Sequence, residues 1–242
     1  MEFGQDVGGY VLAGGKSSRM GQDKALLKIA GKPLALHAVT KLGRVCSDVH
    51  ILSDRQELTS FAPLVTDLHE GCGPLGGIEA ALRHSPHEWN LFMPVDMPFI
   101  PTSFLFLWIQ QVSMLEKRRG GRISMFTVFD RPQPLFCQLH REVAPFVYEA
   151  MEHGEYKVLP VMEMAGKKLA ERQGLPFDMV FCNLPWGQDS SLSGEIAGEG
   201  GEVEEWRIPT DAQQAARHLW FANLNTPEEF AEAERHIDAL DT

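Results

Sequence analysis

The sequence predicts an α/β protein: a mostly parallel central sheet with helices on both of its faces. Three observations carry that reading. Its 242 residues suit one generous α/β domain. Short apolar runs alternate with helical patterns through the first half of the chain. One of those runs, WNLFMPVD at 89–96, is apolar enough to be a buried strand and ends on an acid.

The elements follow in order. GYVLAG at 9–14 reads as the opening strand, followed by a glycine-rich loop. A helix is expected over 33–43, opening with Pro33 after Gly31 and closing on Gly43. Strands are expected at 49–53 and 63–67, then a short helix over 76–85 with Gly76 and Gly77 at its mouth. After the strand at 89–96, a helix is expected over 100–114, with Pro101 near its first turn and Thr102 or Ser103 as caps. Its apolar content, FLFLWIQQVSM, reads as core. Residues 122–129 and 134–140 are β-rich and flank a turn at 130–133, which suggests a hairpin at the far side of the sheet. A helix over 141–154 and a shorter one over 156–166, broken near Pro160, come next. Residues from about 184 to 215 change character: this acidic insert, rich in Gly, Ser and Glu, has no period and reads as a surface excursion. A strand at 219–225 and a helix over 226–237 close the chain, with Thr226 as cap, Pro227 at the first helical position, and Glu228 and Glu229 at the positive end of the dipole.

The bulk numbers narrow the function. A formal charge of −11 argues against a broad grip on nucleic acid, so any polyphosphate must be held locally. The first residues lack a basic, then apolar, leader, and no apolar run is long enough to span a bilayer; the expectation is a cytoplasmic protein without a membrane partner. Four cysteines are scattered without C-x-x-C spacing and read as reduced thiols. The histidines show no ligand spacing.

Chemistry concentrates in LAGGKSSRMGQDK, residues 12–24. The inner GGKS suggests an ATPase phosphate loop, but G-x-x-x-x-G-K-[ST] requires glycine at position 10, where Tyr10 stands, and Gly9 is one residue off. Another reading uses the whole stretch. Gly14 and Gly15 let the chain turn after the strand with backbone N–H groups exposed as an anion nest. Arg19 and Lys24 then face phosphates, and Ser17 and Ser18 supply hydroxyls. The carboxyl end of a first strand is where open α/β sheets hold ligands. Asp96, beyond its own buried strand, would share that crevice and is the best candidate to hold Mg²⁺, which prefers one or two carboxylates plus phosphate oxygens and water.

The pattern L-A-G-G-x-S-x-R-M-G-x-D-K, matched by Leu12, Ala13, Gly14, Gly15, Ser17, Arg19, Met20, Gly21, Asp23 and Lys24, resembles the signature of the molybdenum cofactor guanylyltransferase family, MobA-like nucleotidyltransferases. The resemblance runs from Tyr10 to about His140 and again from Phe221 to Glu234, and lapses across the acidic insert. It implies a Rossmann-like three-layer sandwich forming one nucleotidyltransferase domain over 1–242. The implied reaction joins GTP and a molybdopterin-type phosphorylated acceptor, with Mg²⁺ as cofactor, and releases pyrophosphate. Arg19, Lys24 and Asp96 are then catalytic, with Asp96 the metal ligand of a D-x-P setting. Asp67 lies at the nucleotide site, next to a G-P-L-x-G segment formed by Gly73, Pro74, Leu75 and Gly77. Leu12, Ala13, Gly14, Gly15, Ser17 and Lys24 hold the nucleotide, and Ser53 or Asp54 reads the base. The family often has Asn there; an Asp carboxylate would accept from guanine N1–H and N2–H₂ together. Asn223 and Asn225 match N-x-N-T-P-E-E, which implies Asn225 as a second metal ligand facing Asp96. Arg131 matches an R-x-x-P-L turn and implies acceptor binding. Two other readings stay open: the same reaction with CTP or another phosphorylated acceptor, and a nucleotide-binding regulator or chaperone without catalysis. Three roles stay open for the insert: covering the acceptor, contacting a molybdoenzyme or cofactor chaperone, or none.

Overall fold

In the opening strand β1 (Val7–Leu12), Val7 and Val11 join one core while Tyr10 joins the other, so the strand is covered on both faces. The structure, a computed structural model, describes residues 6–14, 23–187, 190 and 204–241. A two-stranded ribbon follows, β2 (Lys28–Ile29) and β3 (Lys32–Pro33), turned at Ala30 and Gly31, both in the left-handed region. Then come α1 (Leu34–Val45), β4 (Asp48–Leu52), β5 (Leu64–Val65), α2 (Gly73–His84), β6 (Trp89–Pro94) and α3 (Thr102–Arg119). The second half holds β7 (Ile123–Val128), β8 (Arg131–His140), α4 (Ala144–Glu152), α5 (Val158–Gln173), α6 (Phe177–Val180), β9 (Phe181–Trp186), α7 (Asp211–Ala215) and α8 (Pro227–Ala233).

Seven strands form one sheet in the order β5-β4-β1-β6-β8-β7-β9. Only β8 runs against the others, so the sheet is mostly parallel, as the sequence predicts. Helices α1 and α3 pack on one face around Leu34, Leu42, Leu105 and Trp108; α2, α4 and α5 pack on the other around Leu75, Ile78, Val147 and Leu169. The apolar run of α3 is core: Trp108 is fully buried and its indole N–H donates to Ser124 Oγ at 3.0 Å. Burying such a side chain contributes about 1.5–3 kcal/mol. All four cysteines are unbridged, and Cys72, Cys137 and Cys182 are buried.

Several elements differ from expectation. Helix α5 is not broken at Pro160; that residue lies in the first turn, where its missing N–H would have no intrahelical partner anyway. The hairpin turn is Phe129–Asp130, not 130–133. Both residues have left-handed φ, and Arg131 already pairs with Val128 as the first residue of β8. Residues 184–186, assigned above to the insert, complete β9, which pairs parallel to β7 and takes the sheet edge. That leaves no strand at 219–225; Trp220 and Leu224 instead pack into the α1–α3 core. Nor do Thr102 and Ser103 cap α3. The Asp241 carboxylate accepts from Thr102 N and Oγ1 at 2.8 and 2.7 Å, placing a negative charge at the helix N-terminus from far along the chain.

Candidate active site

Strands β4, β1 and β6 lie side by side and end together. Ala13 N donates to the Leu52 carbonyl at 3.4 Å, and Val95 N to the Leu12 carbonyl at 3.1 Å. Ala13–Gly14, Ser53–Asp54 and Asp96 therefore emerge on one edge, the carboxyl edge of the parallel strands. Gly14 does not have a left-handed φ, and among the described residues a Cβ there would meet the Leu52 carbonyl alone, at an ordinary 3.6 Å. The packing of the described residues thus makes no demand for glycine at this position.

Lys24 opens a three-residue 3₁₀ turn, Lys24–Leu26, anchored by fully buried Ala25. Asp23 caps that turn by accepting from Ala25 N at 3.0 Å. The Lys24 ammonium lies 2.5 Å from Asp96 Oδ2 and 2.5 Å from Asn225 Oδ1. Four hydrogen bonds hold the Asn225 segment there. Leu224 N donates to the Asp96 carbonyl at 3.0 Å, tying the two segments together. Glu229 Oε2 accepts from Asn225 N and Thr226 N, within the capping box that starts α8. Asn225 Nδ2 donates to the Asn223 carbonyl at 3.2 Å, which turns Oδ1 toward Lys24.

This geometry tests whether a divalent cation fits. A carboxylate oxygen and an amide oxygen, from elements far apart in sequence, converge on one positively charged atom. Both are hard donors of the kind Mg²⁺ takes, and no group of three His, Cys, Asp or Glu among the described residues offers an all-protein cage. A site with two protein oxygens leaves its remaining positions to phosphate and water, so the residues present fit the ion.

Asp67 lies against the first turns of α2. A Cβ at Gly76 would stand 3.3 Å from Asp67 Oδ2, and one at Gly77 3.4 Å from Oδ1. Partial burial, followed by the charges of Asp54 and Glu79, pushes the Asp67 carboxyl up. Gly73 has a φ of +62 and Pro74 follows it in the first turn, while the Leu75 side chain is fully buried in the core. Ser53 is buried, and its Oγ accepts from Arg55 N at 3.2 Å. Arg131 is exposed at the hairpin tip, on the same sheet edge as Asp96. Gly15, Ser17 and Arg19 lie outside the described residues. One contact was not anticipated from sequence: Arg55 Nη1 donates to Asp23 Oδ2 at 2.7 Å. Its only signal is an arginine placed shortly after a strand's end, which many surface loops share.

A mostly parallel sheet whose carboxyl edge gathers a lysine, a carboxylate and an amide around one point defines a Rossmann-like nucleotide-handling protein. The family model for the MobA-like NTP transferase domain matches residues 9–169. A molybdenum cofactor guanylyltransferase of Serratia proteamaculans is 30% identical over 202 residues, covering 79% of this chain and 99% of that protein. One of Vibrio cholerae is 33% identical over 195 residues, covering 79% and 93%. Among solved structures, the molybdopterin-guanine dinucleotide biosynthesis protein A of Archaeoglobus fulgidus superposes with a TM-score of 0.65 at 22% identity, covering 96% of this chain and all of that one. A 4-diphosphocytidyl-2C-methyl-D-erythritol synthase of Anaerococcus prevotii gives 0.57 at 12% identity, covering 97% of each. The chain belongs to the MobA-like NTP transferase family, and it is a nucleotidyltransferase. Among the described residues no helix is long and apolar enough to cross a membrane.

Proposed function

We propose that this enzyme transfers GMP from Mg-GTP to the terminal phosphate of molybdenum-bound molybdopterin, giving the guanine dinucleotide cofactor and pyrophosphate. The observation that carries the reading is the convergence of Lys24, Asp96 and Asn225 at the carboxyl edge of the sheet. The bacterial relatives, molybdenum cofactor guanylyltransferases, point to the substrates.

In the reaction, an oxygen of the acceptor phosphate attacks the α-phosphorus of GTP in line, and the bond to the β-phosphate bridging oxygen breaks. No protein nucleophile is needed, so catalysis is positioning and charge stabilisation. Asp96 and Asn225 would hold Mg²⁺, which when bound supplies charge neutralisation between two anionic reactants. Lys24, released from those two oxygens, grips the triphosphate with Arg19. Gly14 and Gly15 would let phosphate oxygens approach backbone N–H groups; among the described residues a Cβ at Gly14 meets nothing closer than 3.6 Å, which favours a ligand as the reason for glycine there. Ser17 adds a hydroxyl.

Guanine suits the acidic flank of this edge. Asp54 accepts from guanine N1–H and N2–H₂, and the crowding of Asp54 and Asp67 is relieved by a base that brings several N–H donors. Cytosine brings only its N4 amino group. Ser53, Gly73, Pro74 and Gly77 shape the same pocket, and Leu12, Ala13 and Leu75 contribute backbone. Arg131 at the hairpin tip receives the acceptor. Strand β9, which leads into the acidic insert, pairs with β7 as far as the hairpin, Trp186 beside Val128; for the insert, a cover for the acceptor, a contact for a molybdoenzyme or cofactor chaperone, and no role all stay open.

Two measurements test this. Thermal stabilisation is compared across GTP, CTP, ATP and UTP with and without Mg²⁺; a ligand that binds only the folded state raises Tm. Pyrophosphate release is then followed with loaded acceptor. Stabilisation by GTP with acceptor-dependent release supports the reading. Release with CTP instead reassigns the nucleotide, and GTP binding without release makes the protein a non-catalytic binder.

A further inference from the structure

We propose that Arg55 is a positioning residue for Lys24, acting through Asp23; this rests on the role given to Lys24 above.

The Asp23 side chain is 9% exposed, and each of its carboxylate oxygens has a different task. Oδ1 accepts from Ala25 N and shapes the turn that carries Lys24. Oδ2 accepts from Arg55 Nη1 at 2.7 Å, across 32 residues of sequence. The turn is weak alone: three 3₁₀ residues closed by Leu26 N to Asp23 O at 3.0 Å and Leu27 N to Lys24 O at 3.1 Å. Arg55 is well anchored at its own end. Its N donates to Ser53 Oγ, and its carbonyl accepts from Leu58 N at 3.1 Å, next to the fully buried Leu58 side chain. The ion pair therefore ties a three-residue turn to the rigid end of β4. A polar chain runs from Ser53 through Arg55, Asp23 and Lys24 to Asp96 and Asn225, along the ends of three adjacent strands.

Arg55 is 43% exposed, so the pair adds little to global stability. Its effect falls on where the Lys24 ammonium sits, and a misplacement of about 1 Å at a reacting centre costs about a hundredfold in rate. The competing role, direct contact between Arg55 and the nucleotide, would show in KM.

The experiment compares Arg55→Met, Arg55→Lys, Asp23→Asn and the Arg55→Met/Asp23→Asn double variant of the full chain. The first readout needs no substrate: acetylation of Lys24 in nucleotide-free protein, quantified by mass spectrometry against exposed Lys28 and Lys32. Loss of the brace is expected to raise Lys24 labelling several-fold in each single variant and no further in the double, with Arg55→Lys in between. The second is steady-state pyrophosphate release. Each single variant is expected to lower kcat by about tenfold or more at little changed KM, with the double no worse than the worse single. Unchanged Lys24 labelling in Arg55→Met overturns the proposal, as does a loss confined to KM or multiplicative losses in the double. A wild type inactive with GTP counts against the proposed reaction alone, because the labelling still decides the brace.

Discussion

Lys24 Nζ and Asp96 Oδ2 stand 2.5 Å apart, and Asn225 Oδ1 completes the contact from the far end of the chain. The ammonium neutralises the same lone pairs that a divalent cation would take. On the proposed function, metal entry would compete with Lys24 until a triphosphate drew the lysine away. Lys24→Met is expected to bind Mn²⁺ several-fold more tightly than wild type in the absence of nucleotide, read by electron paramagnetic resonance. Turnover of Lys24→Ala should fall by orders of magnitude. Stability should change by about 1 kcal/mol or less, as for a partly exposed pair. Equal Mn²⁺ affinity in both proteins would show that the two cations do not share these oxygens.

Gly14 separates folding from binding. With a φ outside the left-handed region and no close neighbour for a Cβ among the described residues, Gly14→Ala is expected to leave Tm unchanged or slightly raised, by the equivalent of about 0.4–1 kcal/mol. Stabilisation by Mg-GTP should be lost. A variant that folds poorly would mean that the glycine serves the chain and not the ligand.

Asp67 makes a pH-dependent prediction. Its carboxyl is held above the ordinary value, first by partial burial and then by Asp54 and Glu79. The folded state therefore binds more protons than the unfolded chain across the interval from the ordinary carboxylate value up to the raised one. Stability falls as pH rises through that interval, and the cost of ionised Asp67 persists above it. Asp67→Asn should raise Tm at pH 7 but leave it unchanged at a pH below the ordinary carboxylate value, while weakening stabilisation by GTP. A Tm difference equal at both ends of the titration would remove Asp67 from this account.

Lys41 carries the opposite sign. Burial pushes its ammonium down to about 8, although Asp241 stands 3.8 Å away and the Pro98 and Ile100 carbonyls accept from Nζ. Between about pH 8 and 10.5 the unfolded chain binds the extra proton, so stability rises with pH over that window. Thermal melts of wild type and Lys41→Met should converge or cross in favour of wild type as pH rises from 8 to 10.5. Asp241→Ala leaves the buried ammonium without its counter-charge and should cost about 3–5 kcal/mol, measured by urea denaturation at neutral pH.

Much of this was legible from local pattern. The apolar runs and helical stretches of the first half read correctly as strands and helices because local residues decide them, although the cap of α3 comes from Asp241. Asp96 read as a candidate site residue because a carboxylate after a buried, mostly apolar strand lies at the sheet's edge. Thr226 read as the cap of α8 from local sequence, and the structure adds the return bond from Glu229 that completes a capping box. The second half was harder. The segment 219–225 has a strand's composition, yet β9 already holds the edge beside β7, and edge occupancy is not written in any local window. Pro160 looked like a break because helix position, not proline itself, decides its cost.

The amino-acid order by itself determined the layered α/β class and marked Lys24 and Asp96 as candidates for one site, since periodicity and residue chemistry act over a few neighbours. Only the tertiary structure decided that Asn225 meets Lys24, that Arg55 reaches Asp23, and that Asp241 caps a helix begun at Thr102. Those contacts join residues 201, 32 and 139 positions apart; strand ends gathered at one edge bring Arg55 to Asp23, and packing of the C-terminal segment through Leu224 and Leu240 into the α1–α3 core brings Asn225 and Asp241 to theirs.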